Sequence, residues 1–133
     1  MFASIYDASL KRVDRAVEKV LIHLQGEVCR ITDVVRQNML FDNLHDLNVA
    51  LKHWLEDPEV RVMHVRDRLS NGHSGYRDIT LIVSFVNSVA MHNNVLGHVC
   101  EVRLSLISLH SIIVLGKHTQ YLRRKMVLRK TNK

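Results

Sequence analysis

Three segments in the second half of the chain alternate with period two: "VRVMHVRDRL" (Val60–Leu69), "RDITLIVSFV" (Arg77–Val86) and "HVCEVRLSL" (His98–Leu106). In a strand, successive side chains point to opposite faces, so alternation of this kind gives each segment one apolar side and one polar side. On the last segment Cys100, Val102, Leu104 and Leu106 fall on the core side, and Val99, Glu101, Arg103 and Ser105 on the other. On the middle one Ile79, Leu81, Val83 and Phe85 share a face opposite Asp78, Thr80, Ile82 and Ser84. On the first, the same parity puts Arg61, Met63, Val65 and Asp67 together. A sheet with one apolar face must be covered on that face, and the rest of the chain has to supply the cover.

The earlier half supplies helices. "SLKRVDRAVEKVLIHLQG" carries Leu10, Val13, Val17, Val20, Leu21 and Leu24 at helical spacing and predicts a helix over Ser9–Gln25, with Leu21 buried. Asp7 or Ser9 would cap it and Gly26 would end it. A second helix is expected over Asn43–Glu56, capped by Asp42 or Asn43 and stopped by Pro58, with Leu44, Leu47, Leu51 and Trp54 or Leu55 inward. Between them, the β-branched stretch before "NMLF" predicts a strand over Val34–Phe41. "NSVAMHNNVLG" reads as a polar connection, and a last helix is expected from Ile107. The resulting order is αβαβββα: an α+β fold, with a small, mostly antiparallel or mixed sheet flanked by helices.

A chain of 133 residues that is 47% hydrophobic suits one domain with one core, taken as residues 1–125. Residues 126–133 form a basic tail. Six of the nineteen Lys and Arg residues lie in the last eleven positions, which hold no acid. The rest of the chain is therefore balanced, with thirteen basic residues against thirteen acidic ones. A solvated helix end is the stronger reading of the tail, and nucleic-acid binding through it is the weaker one. No stretch approaches the roughly 20 apolar residues of a membrane span. The start lacks a secretory pattern, and Cys29 and Cys100 read as two reduced, buried thiols, so a cytoplasmic home is expected. The residues do not indicate an oligomeric state.

Charge gathers at one place in particular. Arg66, Asp67, Arg68, Arg77 and Asp78 surround the turn "SNGHSGY", where Gly72 and Gly75 offer positive φ. Nine histidines include no HExxH motif and no zinc-ligand spacing. P-loop, GxGxxG and GxSxG motifs are absent, and aromatic residues at 5% are too few for a base-stacking sheet. Two carboxylates facing a polar pocket could hold Mg²⁺ against nucleotide phosphates, with arginines neutralising the charge. An ordinary ion pair between Glu101 and Arg103 on one strand face is the plainer alternative.

In order and spacing, "ITDVVRQNMLF", "VMHVRDRLSNGHSGYRDITLIV" and "GHVCEVRLSLISLH" resemble the RelA/SpoT-type nucleotidyltransferases over roughly residues 10–125. These enzymes move pyrophosphate from ATP to GDP or GTP and so make guanosine tetraphosphate or pentaphosphate. The resemblance implies that Asp33 and Glu101 are the catalytic pair and hold Mg²⁺, with Glu101 as the base. It also implies that Tyr76 stacks on the guanine, that Arg66 and Asp67 stand for the "KD" pair, and that His110 follows the glutamate strand. Arg103, Arg36 and Lys19 complete the expected substrate-binding set for ATP, GTP or GDP. Where the family has a basic, Ser/Lys-bearing segment that cradles ATP phosphates, this chain has an amphipathic helix with Arg15 and Lys19 as its only clear candidates.

The chain also departs from the pattern. "GYxSxH" becomes "GYRDIT", which places Asp78 and Thr80 at the polar positions, and Arg103 replaces the glutamine after Glu101. Two readings follow from the resemblance and its departures. One is a pyrophosphokinase-type transferase. The other is a non-catalytic ligand- or protein-binding domain that keeps the fold.

Overall fold

The computed structural model describes the backbone of residues 2–7 and the chain over 10–70, 77–112 and 115. Five strands make one sheet: β1 (Phe2–Asp7), β2 (Arg36–Phe41), β3 (Val60–Asp67), β4 (Asp78–Phe85) and β5 (Val99–Leu106). They lie in the order β1-β2-β5-β4-β3. β2 and β5 run parallel, and the other neighbours run antiparallel. Three helices, α1 (Val13–His23), α2 (Leu44–Glu56) and α3 (Ser88–His92), join a 3-10 turn at Val28–Arg30 and helical residues 107–112. The fold is the expected mixed α+β arrangement, with two further elements. β1 pairs with β2 in a stretch whose Asp7 was expected to cap a helix. α3 forms within the Asn-rich connection because the Asn87 side chain accepts a hydrogen bond from the Ala90 amide at 2.9 Å.

The apolar faces assigned to β4 and β5 meet in the core. Ile79, Leu81, Val83, Val102 and Leu104 pack with Met39 and Phe41 of β2 and with Leu47 and Ala50 of α2. Leu51 and Trp54 are half-buried at its margin, and the Trp54 and Phe85 rings meet edge to face at 6.4 Å. Asn43 caps α2 by accepting from the Asp46 amide at 2.9 Å.

Parity fails on β3. A register shift between Val62 and His64 puts Arg61 opposite Ser84, but Val65 opposite Leu81 and Asp67 opposite Ile79. The extra residue of the bulge exchanges the faces, so Arg61 does not share a side with Val65 and Asp67. Arg66 instead opposes Thr80 on the polar face.

α1 also differs from expectation. It begins at Val13 without a side-chain cap, and its sole buried residue is Val20. Leu21 is 67% exposed, and Leu10, Val13 and Val17 are exposed as well. Cys29, on the 3-10 turn, is exposed and Cys100 is half-buried, whose thiol burial pushes up in pKa. Residues 126–133 and the turn residues 71–76 lie outside the described residues. Among the described residues no helix is long and apolar enough to cross a membrane.

Candidate functional site

β2 follows a short irregular approach, residues 31–35, which the residues leading into α1 grip: the Lys11 amide donates to the Val34 carbonyl at 3.0 Å. That grip buries Asp33 against two lysines. Lys11 Nζ donates to Asp33 Oδ2 at 2.6 Å, and Lys19 Nζ stands 3.0 Å from Oδ1. Asp33 is buried, so both ammonium groups meet its carboxylate largely out of water. Burial would raise the Asp33 pKa, but the two ammonium groups outweigh it and hold the carboxyl below its ordinary value of 3.8.

The outer side of the same lysines lines a cleft of about 490 Å³. Lys11, Arg12, Arg15, Lys19 and Arg36 bring five cationic side chains to it, with Glu18 as its acid. Lys11, Arg15, Lys19 and His23 recur every fourth residue, which stacks them along one side of α1. Arg12 pairs with Asp14 at 3.0 Å and Arg15 with Glu18 at 2.8 Å, both in the open. Exposed pairs of this kind are weak, so an anion can compete for those guanidinium groups. Reading the sequence found Arg15, Lys19 and Arg36 but missed Lys11 and Arg12. The four-residue recurrence is a signal that could have found Lys11, whereas Arg12, the residue before α1, lies outside that recurrence.

Arg36 connects this cleft to the polar face of the sheet. In the parallel register it lies opposite Glu101, whose amide donates to the Val35 carbonyl at 2.9 Å. Glu101 is buried, and its Oε1 accepts from Arg103 Nε at 2.6 Å. Arg103 opposes Thr80, which in turn opposes Arg66, so these three share the face. Arg66 is exposed there. His110 is half-buried in the helical residues beyond the Leu106 end of β5, away from the Glu101 end. Tyr76 lies outside the described residues.

Four of the five hairpin charges make contacts within the hairpin. Arg68 Nη2 and Asp78 Oδ1 form a pair at 2.6 Å, and Arg68 Nη2 donates to Thr80 Oγ1 at 3.1 Å. Asp67 accepts from the amides of Leu69 and Ser70 and from the Ser70 hydroxyl. Arg77 donates to the Leu69 carbonyl. Asp78 and Thr80, which depart from the family pattern, thus form one network with Arg68.

Mg²⁺ needs oxygen ligands that are free to face it. Here both Asp33 oxygens stand against ammonium groups, and one Glu101 oxygen is held by Arg103. Among the described residues no group of three or more His, Cys, Asp and Glu side chains comes together. The two carboxylates as arranged do not fit the ion.

The mixed five-stranded sheet with α2 on one face has the nucleotidyltransferase-like fold of the RelA/SpoT synthetase type. Solved structures bear this out. Small alarmone synthetase 1 from Bacillus subtilis, bound to its product pppGpp, superposes with a TM-score of 0.74 at 16% identity, covering 90% of this chain and 63% of that one. The same enzyme bound to AMPCPP gives 0.67 at 16%, covering 96% and 67%. A GTP pyrophosphokinase family protein from Streptococcus pneumoniae gives 0.74 at 13%, covering 93% and 62%. At these identities the likeness is one of fold, and the chain spans a little under two thirds of the length of the first of these proteins. No family profile and no curated protein matches the sequence.

Proposed function

We propose that this protein binds a nucleotide or a related polyphosphate in the cleft between α1 and the start of β2. The observation that carries this reading is the convergence of Lys11, Arg12, Arg15, Lys19 and Arg36 on one cleft. Lys and Arg side chains are the groups that recognise phosphate, Arg by a bidentate fork and Lys as a point charge. Support comes from the fold, since one solved neighbour holds AMPCPP, a nucleotide with a polyphosphate chain. ATP, GTP and GDP are the ligands to test first. A ligand that binds only the native state raises the melting temperature, so a thermal-shift titration measures binding directly. The expected result is a concentration-dependent rise that is lost in the double variant Arg15→Ala/Arg36→Ala. A flat response to all three nucleotides sinks the reading.

The second reading is pyrophosphate transfer from ATP to a guanosine nucleotide. It is favoured by the fold and by the position of Glu101 across from Arg36, with Arg103 and Arg66 on the same face for an acceptor's phosphates. Asp33 and Glu101 would then be the residues on which turnover depends. Phosphoryl chemistry rests on positioned charge, and Arg103 occupies Glu101 Oε1 as its ion-pair partner. Binding with little or no transfer is therefore the expected outcome of a radiolabel assay. Robust Mg²⁺-dependent turnover that vanishes in both Asp33→Ala and Glu101→Ala would establish the enzyme.

A further inference from the structure

We infer that the phosphate site works without a divalent metal, and that Asp33 serves it as a positioning residue that sets the Lys11 and Lys19 ammonium groups at the floor of the cleft. This rests on the polyphosphate-binding reading and specifies its chemistry. A metal bound between a carboxylate and a phosphate supplies positive charge at a fixed point. In this chain two ammonium groups already occupy the carboxylate side of that point. Lys11 Nζ is 2.6 Å from Oδ2 and Lys19 Nζ is 3.0 Å from Oδ1. The lysine side chains are 12% and 32% exposed, and both line the cleft. A cation entering at Asp33 would have to displace them.

The geometry also leaves the lysines able to act. An ammonium has three N–H donors. Lys11 and Lys19 each direct about one of these towards an Asp33 oxygen, which leaves donors on both for a ligand. Two ammonium groups repel one another, and the carboxylate between them holds both in place. Without Asp33 each lysine would extend towards solvent along its own flexible stem. At Glu101, Arg103 holds Oε1 at 2.6 Å, which leaves Oε2 as the oxygen open to a cation.

Calorimetric titration of the full chain with inorganic triphosphate, once in EDTA and once in excess Mg²⁺, tests this. Saturable binding in EDTA is expected, and excess Mg²⁺ should weaken it, because the ion lowers the charge of the ligand. Lys19→Gln should lower affinity in EDTA about tenfold, and Lys19→Arg should recover part of the loss. Asp33→Asn should also weaken binding in EDTA, although it removes a negative charge beside the ligand. Electrostatics without positioning requires the opposite sign. All variants are compared at a temperature where circular dichroism shows them folded. If Asp33→Asn does not fold, the Lys19 variants and the metal comparison decide. Binding seen only with Mg²⁺ overturns the metal-free site and leaves the nucleotide-binding reading standing. Tighter binding by Asp33→Asn overturns the positioning role. Absence of binding in both conditions overturns this inference and the proposed function together.

Discussion

α1 and α2 carry similar apolar stripes in the sequence but are held to the sheet by different forces. α2 buries Leu47 completely and Ala50 almost so, against strand residues that are themselves closed from water. α1 leaves Leu10, Val13, Val17 and Leu21 exposed and is held by the backbone bond from Lys11 and by the ion pairs of Lys11 and Lys19 with Asp33. One helix is fixed by area removed from water, the other by charge. The difference suits the cleft, because a helix anchored through its cations keeps those cations in a defined place.

The comparison can be broken most severely from the α2 side. Leu47→Ala should cost about 3 kcal/mol, read as a loss in denaturant midpoint, since the cavity forms in the best-packed part of the molecule. A loss under 1 kcal/mol would mean that α2 is no better anchored than α1. Lys11→Ala comes next. It leaves a buried carboxylate with one partner, and a cost of about 2–3 kcal/mol is expected, below the full range for a buried pair because Lys19 remains. Asn43→Ala removes the α2 cap and should cost about 1 kcal/mol in the same measurement.

A pH titration sharpens the contrast further. The Asp33 pKa is depressed in the folded state, so its contribution to stability is present above the ordinary value of 3.8 and is lost as pH falls through the lower folded value. Asp67, held by Ser70 and Leu69, shifts in the same direction for a local reason. Stability should therefore fall below pH 3.8 in the native chain and fall less steeply in Asp33→Asn. Identical acid profiles would show that charge does not anchor α1. The smallest effect belongs to the exposed stripe: Leu21→Ser should change stability by about 0.5 kcal/mol or less, where a packed leucine would give several times that.

Much of the architecture was legible in the residues. Strict alternation on β4 and β5 placed Ile79, Leu81, Val83, Val102 and Leu104 in the core, and Asn43 with Pro58 bounded α2. These are local properties, in which the pattern repeats with the geometry of the element itself. β1 escaped notice because an edge strand takes its hydrogen bonds from a partner, here β2, that is distant in sequence. The bulge on β3 escaped for a related reason. An inserted residue exchanges faces, and only the pairing with β4 reveals it.

The site divides along the same line. Spacing by itself identified charges that share a strand, such as Glu101 with Arg103, and the family resemblance singled out Arg15 and Lys19 on the first helix. They could not say which carboxylate each cation would meet. Asp33 lies 22 positions after Lys11, in a segment without regular structure, and no periodicity links the two. Only the folding of α1 over the approach to β2 brought Lys11 and Lys19 onto its two oxygens. The sequence alone determined which faces are apolar, because side-chain periodicity is set by the backbone. Tertiary structure decided that α1 stays half-open and that Asp33 is held by lysines, because burial and pairing energies depend on elements far apart in the chain.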